Sequence, residues 1–229
     1  MVSFTHLGEN RAYEGVELKA AVQKIRVLVV DDHQMVRDGV LASVKGQPDM
    51  EIVGEATCGQ EAVTQFFQTR PDVTLMDLRL PDMSGHEAIT QIRETFPNAR
   101  IIVLTTYQGD VQAVKAFKAG AMAYLLKSSL RKDLLSTIRA VHDGRKVIPP
   151  DIAAAMASHM GDDELSTREL QVLRHVAEGL SNKLIADRLS LSPDTVKSHL
   201  ANTMAKLNAN DRTHAVTIAI KRGYFDLDV

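Results

Sequence analysis

Three aspartates in the first half of the chain stand where apolar segments end. Asp31 and Asp32 follow the run 25–30, and Asp77 follows the run 73–76. In open α/β sheets, ligands bind outside the carboxyl ends of the strands. If the first and third strands are neighbours, the three carboxylates converge, and their mutual repulsion favours a bound cation. Hard oxygen donors of this kind suit Mg²⁺, particularly where a phosphate completes its coordination.

Two further polar side chains are expected at the same rim. Thr105 lies at the end of the fourth predicted strand, and Lys127 follows the fifth. A carboxylate beside a metal, an ammonium and a hydroxyl can take up a phosphoryl group as an aspartyl-phosphate. The metal and the lysine would neutralise charge on the transferred group. Each residue alone is also explained as a cap or a surface residue, but packing does not explain the whole set.

The elements that position these residues alternate between strand and helix. Strands are predicted over 25–30, 51–56, 73–76, 100–106 and 121–126. Apolar residues at helical spacing follow each of them and predict a helix after every strand. Such alternation predicts a parallel sheet covered on both faces, because each crossover is right-handed and carries a helix. We therefore expect a five-stranded, doubly wound α/β domain.

The last part of the chain has no strand pattern. Ser166 and Ser181 are predicted helix N-caps, each preceding apolar residues at helical spacing. Pro193 opens a third helix, where the first turn needs no amide donor, and a fourth helix begins near Asp211. Short helices joined by a tight turn are typical of a helix-turn-helix. We expect a small, all-α, four-helix domain here.

Composition bounds the class of protein. A length of 229 residues with 45% hydrophobic residues permits two small domains. A formal net charge of −2 gives no overall field toward nucleic acid or membrane. The one cysteine, Cys58, agrees with a cytoplasmic protein, and the lack of a long apolar run predicts no membrane contact. The predicted divisions are an N-terminal extension over 1–24, an α/β domain over 25–145, a linker over 146–162 and a helical domain over 163–229.

The α/β segment resembles the receiver domain of two-component response regulators, which has a flavodoxin-like fold. The resemblance is carried by 29–33, 76–81, 104–106 and 120–127. One departure is Ser128, which stands where many receivers carry proline. The resemblance implies that Asp77 is the phosphoacceptor. It also implies that Mg²⁺ is bound by Asp32, Asp77 and the backbone carbonyl of Arg79, with Asp31 supporting the acidic pocket. Thr105 and Tyr124 would be the switch residues, and Lys127 would contact the phosphoryl group.

The helical segment resembles the DNA-binding domain of the NarL/FixJ group, also called LuxR-type. The resemblance is carried by 165–169, 179–183, 192–199 and 211–213. It implies that the third helix enters the major groove of double-stranded DNA. Expected contacts from the outer side of this helix are Lys197, Ser198, Ala201 and Asn202, where Ala201 can touch a thymine methyl. The residues expected to contact the DNA phosphate backbone are Asn182, Lys183, Thr195, His199 and Lys206.

Together these features predict a DNA-binding response regulator that a sensor histidine kinase phosphorylates on Asp77, and that forms a homodimer to control transcription. The helix after Asp211 is the expected dimer face. A Mg²⁺-dependent phosphohydrolase is disfavoured, because such enzymes need a carboxylate two residues after the nucleophile and Arg79 stands there. We therefore expect no enzyme. The alternative is a phosphorylation-independent DNA-binding regulator whose receiver acts as a dimerisation module.

Overall fold

The computed structural model describes residues 23–106, 109–161 and 163–225. The expected extension over 1–24 therefore lies almost wholly outside the described residues. The first ten main elements are β1 (Ile25–Val30), α1 (Gln34–Lys45), β2 (Met50–Ala56), α2 (Gly59–Thr69), β3 (Val73–Asp77), α3 (Gly85–Thr95), β4 (Ile101–Thr105), α4 (Asp110–Ala119), β5 (Ala123–Leu126) and α5 (Leu130–His142). They are followed by α6 (Pro150–Ser158), α7 (Thr167–Ala177), α8 (Asn182–Leu189), α9 (Pro193–Lys206) and α10 (Arg212–Arg222).

The strands form one parallel sheet in the order β2-β1-β3-β4-β5. This order confirms the predicted five-stranded, doubly wound fold, with β1 and β3 adjacent. Val30 is paired in register with Met76, so the residues that follow these two strands emerge side by side. Thr105 is paired with Leu126 at the same edge. The register thus gathers the carboxyl ends of four strands around one crevice.

The continuous apolar runs of the strands are explained by burial on both faces of the sheet. Alternate residues point to opposite sides. Leu28 and Met76 lie in the cluster that includes residues of α2 and α3, whereas Val29 and Leu75 lie in the cluster that includes residues of α1 and α5. All four side chains are fully buried. Burying a side chain of this size stabilises the fold by about 1.5–3 kcal/mol, so the strand positions are strongly fixed.

Part of the segment predicted to be a linker packs onto the α/β domain. Val147 forms a parallel bridge with Ala123, which extends the sheet beyond β5. The helix α6 follows, and its Ile152 is 1% exposed within the apolar cluster on the α3 and α4 side of the sheet. The chain between the two domains is therefore partly anchored to the first of them.

The helical domain is built from α7 to α10 around a core that includes Val172, Ile185 and Val196. Ser166, at the start of α7, forms a reciprocal capping box with Glu169. A side-chain N-cap of this kind is worth about 1 kcal/mol, so the serines seen in the sequence do fix the helix starts. None of the helices in the described part of the chain has the length and hydropathy that a membrane span requires.

Candidate functional site

The acidic residues lie together at the carboxyl edge of the sheet. Asp31 follows β1, Asp77 is the last residue of β3, and both are buried, with 0% and 3% of their surface exposed. Asp32 is more exposed and lies beside them. Ligand atoms of these three residues and of His33 all lie within 4.8 Å of one another. Neighbouring parallel strands thus bring together carboxylates that are 45 or 46 residues apart in sequence.

Lys127 reaches the same crevice from the end of β5. Its ammonium nitrogen lies 2.7 Å from Asp77 Oδ2, to which it donates a hydrogen bond, and 2.8 Å from Asp31 Oδ2. Only 12% of the lysine side chain is exposed. Buried carboxylates need a paired cation, because an isolated buried charge is strongly destabilising. The lysine supplies that cation for two carboxylates at once.

The pKa directions in this group follow from its charges. Burial raises the pKa of Asp77, the Lys127 hydrogen bond and charge oppose the rise, and the negative charge of Asp31 adds to it. Burial acts to lower the pKa of Lys127, but its contacts with Asp31 and Asp77 outweigh burial and raise it. Both pKa values are thus raised, but a raised pKa favours the charged form of a lysine and the protonated form of an aspartate. Lys127 is therefore held in its charged form, and one ammonium is shared by two carboxylates.

The donor set fits a divalent cation. Asp31, Asp32 and Asp77 contribute three carboxylates to the site, and Lys127 contributes one ammonium. Asp31 Oδ2 is buried and receives no hydrogen bond, although it contacts the ammonium. An additional cation would complete the charge balance, and hard carboxylate oxygens are the ligands that Mg²⁺ and Ca²⁺ prefer. The acidic pocket is thus compatible with a divalent metal held by these carboxylates.

The other residues expected at this rim are placed as follows. Thr105 ends β4 beside the strand that carries Asp77, and it is 1% exposed. Tyr124 is fully buried in the apolar cluster on the α3 and α4 side of the sheet, rather than at the crevice itself. The backbone N–H of Arg79 donates to Asp77 Oδ1 at 3.2 Å. Thr105 and Arg79 therefore flank the acidic residues, whereas Tyr124 lies in the apolar cluster.

Two supporting residues have no counterpart in the sequence-based site. Arg37 of α1 is buried and donates from Nη1 to the backbone carbonyl of Asp31 at 2.8 Å. The carboxylate of Asp82 accepts from the N–H groups of Gly59 and Gln60 at 2.7 and 2.8 Å. These hydrogen bonds lower the pKa of Asp82. A charged residue on the inner side of an amphipathic helix could have signalled Arg37, but the Asp82 contact spans more than twenty residues and has no local signal.

His33 also joins the acidic group. Its Nδ1 lies 2.6 Å from Asp32 Oδ1 and 3.3 Å from Asp31 Oδ1. The sequence reasoning included this residue in a motif but gave it no role. Because its side chain is 64% exposed, it forms the outer wall of the pocket rather than its floor.

The third helix of the second domain has two distinct sides. Val196, Leu200 and Thr203 are buried against the rest of the domain. The expected groove contacts Lys197, Ser198, Ala201 and Asn202 are all exposed. The helix α9 therefore presents one continuous side to solvent, as a groove-reading helix must.

The residues expected to contact the DNA backbone differ in their exposure. Lys183 is exposed at the start of α8, whereas Asn182, Thr195 and His199 are partly buried. The Thr195 hydroxyl lies 2.8 Å from the Ser192 hydroxyl at the start of α9. The side-chain oxygen of Asn182 is buried without a hydrogen-bond partner. Lys183 is thus the most accessible of these residues.

Lys206 has a role inside the domain. Its ammonium donates to Glu169 Oε2 at 2.9 Å and to the Glu164 carbonyl at 3.1 Å. Burial acts to raise the pKa of Glu169, but the bonds from Lys206 and Ser166 outweigh it and lower the pKa. The ammonium that the sequence reasoning assigned to DNA thus ties the end of α9 to the start of α7.

Comparison with known proteins agrees with both parts of this architecture. Residues 27–139 match the response regulator receiver domain, and residues 163–219 match the bacterial regulatory proteins of the luxR family. The chain belongs to the response regulators that join a receiver to a LuxR-type DNA-binding domain. It is a DNA-binding response regulator of a two-component system, and its family consists of transcription regulators rather than enzymes.

The similarity to individual relatives extends over nearly the whole length of each relative. The chain is 37% identical over 202 residues to the response regulator protein VraR of Staphylococcus aureus, which covers 86% of this chain and 97% of that protein. A LuxR-family two-component response regulator from Aurantimonas sp. is 39% identical with a TM-score of 0.57, covering 60% of this chain and 99% of that chain. The response regulator RcsB from Salmonella enterica serovar Typhimurium, solved on a promoter in the presence of phosphomimetic BeF3−, is 26% identical with a TM-score of 0.66, covering 86% and 98%.

Proposed function

We propose that Asp77 accepts a phosphoryl group from a sensor histidine kinase in the cytoplasm, and that this modification controls how the LuxR-type domain binds DNA. The observation that carries the proposal is the position of the Asp77 carboxylate, at a strand end beside two further carboxylates and 2.7 Å from the Lys127 ammonium. An aspartate with only a structural role would need no charged neighbour other than the Lys127 ammonium. The additional acidic residues around it favour a site for a metal and a phosphoryl group.

In the proposed reaction, a carboxylate oxygen of Asp77 attacks the phosphorus of a phosphohistidine. A phosphorus–oxygen bond forms, the phosphorus–nitrogen bond breaks, and the released imidazole nitrogen takes up a proton. Mg²⁺, held by Asp31, Asp32, Asp77 and the backbone carbonyl of Arg79, would neutralise charge on the phosphoryl group. The protein contributes position and fixed charge, since the strand ends hold the nucleophile and the lysine before the phosphoryl group arrives.

The phosphoryl group would rearrange the partners of Asp77. It carries about −1.5 to −2 charges at neutral pH and three acceptor oxygens, in place of the single negative charge of the Asp77 carboxylate. The Lys127 ammonium, which pairs with Asp77 Oδ2, would pair with a phosphoryl oxygen instead. The Thr105 hydroxyl would move to donate to another one. Tyr124, buried in the apolar cluster, would then repack with the segment after β4. A local charge change can bias a larger two-state element in this way.

DNA binding is proposed to use α9 in the major groove, with Ser198, Ala201 and Asn202 facing the bases and Lys197 reaching a base edge or a phosphate. Lys183 and Lys206, with Asn182, Thr195 and His199, would contact the phosphate backbone. The segment 163–229 carries nine Lys or Arg and nine Asp or Glu, so its net charge is zero. Phosphate neutralisation supplies much of the affinity for DNA, and a single copy therefore binds weakly. We propose that the phosphorylated chain binds as a homodimer through α10.

Intact-mass spectrometry after incubation with acetyl phosphate and Mg²⁺ tests the phosphorylation. The wild type and the control Asp38→Asn, which alters an exposed carboxylate on α1, are expected to gain one phosphoryl group. Asp77→Asn is expected to gain none. The proposal fails if the wild type is never labelled under conditions that label another receiver, or if Asp77→Asn is labelled equally. Labelling without any change in DNA affinity would favour a receiver that acts only in dimerisation.

A further inference from the structure

A cavity of about 350 Å³ lies where four helices of the two domains meet. Its walls are formed by α4, the end of α6, the beginning of α7 and the end of α10. Protein interiors hold few voids larger than a water molecule, and an apolar cavity of about 150 Å³ already holds benzene. Small-molecule sites of about 300–1,000 Å³ commonly lie at domain interfaces. This space, named the interdomain cavity below, therefore has the size and position of a ligand site.

One face of α4 forms the wall that the receiver contributes. Val111, Val114, Lys115 and Lys118 all line the interdomain cavity. Each lysine follows one of the valines by four residues, so the four side chains lie on the same side of the helix. Val114 is only partly buried. The receiver thus presents both apolar surface and positive charge to the same space.

The remaining wall of the interdomain cavity is largely apolar and adaptable. Its lining residues include Met156, Met160, Leu165, Leu170 and Tyr224. Met160 is 83% exposed, so a ligand in the cavity would remove apolar surface from water. Methionine side chains are unbranched and adjust to partners of different shape. The interdomain cavity is therefore suited to a ligand with an apolar body rather than to a wholly polar one.

The lining residues of the interdomain cavity carry three cations and two carboxylates, with histidine counted as neutral. Arg222 Nη2 lies 3.0 Å from Asp110 Oδ2, and Lys118 Nζ lies 2.7 Å from Glu164 Oε1. Lys115 is the third cation, and within the described part of the chain its ammonium has no hydrogen-bond partner. The hydrogen bond and charge of Lys118 lower the pKa of Glu164, and the charge of Lys115 adds a smaller effect. Lys115 is thus the cation that remains to pair with an anionic group.

We propose that the interdomain cavity binds a small amphipathic acid, whose apolar body fills the space beside Val114 and whose single anionic group pairs with the Lys115 ammonium. A neutral ligand would leave that cation without a partner, and a small inorganic anion would leave the apolar wall exposed to water. The ligand would contact both domains and would act as a chemical input separate from phosphorylation. The inference does not rest on the proposed function, since Asp77 and Lys127 do not line this cavity.

A matched pair of fluorescent probes tests both parts of the proposed ligand. The first, 8-anilinonaphthalene-1-sulfonate, joins an aromatic body to one anionic group, and its fluorescence rises in an apolar site. The second, N-phenyl-1-naphthylamine, has the same rings without the sulfonate. Each probe is titrated into the unphosphorylated, full-length chain, and the two dissociation constants and the stoichiometry are measured. The wild type is expected to bind one molecule of the sulfonate per chain, and to bind it more tightly than the neutral probe.

Two variants separate the charge of the interdomain cavity from its volume. Lys115→Met removes the cation at similar length and is expected to weaken binding of the sulfonate about fivefold, as for a partly exposed ion pair, with the neutral probe unaffected. Val114→Phe places a ring in the cavity and is expected to weaken both probes about tenfold, the scale of an overpacked site. The controls, Lys132→Met and Met35→Phe at exposed positions outside the cavity, are expected to match the wild type.

The inference is overturned if the wild type binds the sulfonate without saturation, or if Val114→Phe leaves both affinities unchanged. It is equally overturned if Lys115→Met weakens the two probes alike or weakens neither, because the anionic group would then not pair with this lysine. Near-ultraviolet circular dichroism checks that each variant keeps its native packing, since loosely packed chains also bind the sulfonate. If Val114→Phe does not fold, Lys115→Met decides the question, because Lys115 is exposed.

Discussion

The ammonium of Lys127 lies between two buried carboxylates, 2.8 Å from Asp31 Oδ2 and 2.7 Å from Asp77 Oδ2. The two acids come from adjacent strands, and the lysine comes from the far side of β4, so three strands must close correctly to form this contact. Because one cation serves two anions, with Asp32 beside them, the pocket keeps an excess of negative charge. That excess is the physical reason for expecting a metal ion, and a phosphoryl group after it.

Replacement of Lys127 by Met is expected to lower the free energy of unfolding by about 3 kcal/mol in the presence of a chelator, as when one partner of a buried ion pair is removed. Proton uptake by Asp77 limits the loss, since its pKa is already raised by burial. Urea denaturation measures the effect, with Lys132→Met at an exposed α5 position as the control. A loss no larger than that of the control would show that the lysine does not stabilise the acidic group.

Mg²⁺ is expected to stabilise the receiver, because it binds the folded acidic pocket and not the unfolded chain. At a concentration one hundred times its dissociation constant, the gain in unfolding free energy is about 2.7 kcal/mol. Asp32→Asn is expected to lose most of this gain, whereas Asp38→Asn, on the exposed side of α1, keeps it. Denaturation with and without the metal measures the difference. Equal gains in both variants would remove Asp32 from the metal site.

The DNA-binding domain is expected to lose stability in acid through Glu169. The pKa of its carboxyl is held below the ordinary value of 4.5 in the folded state. Its contribution is therefore fully present above the unfolded pKa and is lost as the pH falls through the lower, folded pKa. Glu169→Gln should cost about 2 kcal/mol at neutral pH, as expected for hydrogen bonds to a charged group.

Thermal unfolding over a pH series from neutrality into the acid range checks the Glu169 prediction. The difference between wild type and Glu169→Gln should shrink as the pH falls. Glu178, a more exposed acid of the same domain, provides the control as Glu178→Gln. A constant difference at every pH would mean that the carboxylate charge of Glu169 contributes nothing.

Substitutions of Lys197 and Lys206 are expected to affect different properties, DNA binding for Lys197 and thermal stability for Lys206. Lys197→Ala should weaken duplex binding and reduce the slope of log affinity against log salt by about 1, as for one lost phosphate contact. It should leave the melting temperature unchanged, since the side chain is exposed. Lys206→Ala should lower the melting temperature, because its ammonium bonds to Glu169 and Glu164. A salt titration and a thermal melt of each variant decide the question, with the exposed Lys221→Ala as the control.

The strands and their acidic ends could be predicted because they are local patterns. Apolar runs followed at once by Asp31 or Asp77 are visible in the sequence, and parallel topology brings such ends to one edge. Strand limits were less accurate where a helix cap intervenes. The fifth strand was predicted from residue 121 but begins at Ala123, because the N–H of Ala121 bonds back to Ala116 and completes the end of α4.

The features that could not be predicted depend on contacts distant in sequence. Lys206 has the spacing of a DNA contact, but that spacing does not show its hydrogen bond to Glu169, 37 residues earlier. Asp82 lies in the loop between β3 and α3, and its hydrogen bonds to the start of α2 appear only when the domain is folded. The same holds for Asp110 and Arg222, which are 112 residues apart. Local spacing carries no information on such pairs.

The most direct test of the central claim is the affinity for a selected DNA duplex, measured for wild type and Asp77→Asn before and after treatment with acetyl phosphate and Mg²⁺. Phosphorylation of Asp77 is predicted to tighten binding by the wild type and to leave Asp77→Asn unchanged. If the treated wild type carries the phosphoryl group but binds the duplex as it did before, or if Asp77→Asn responds to the same extent, the claim is contradicted.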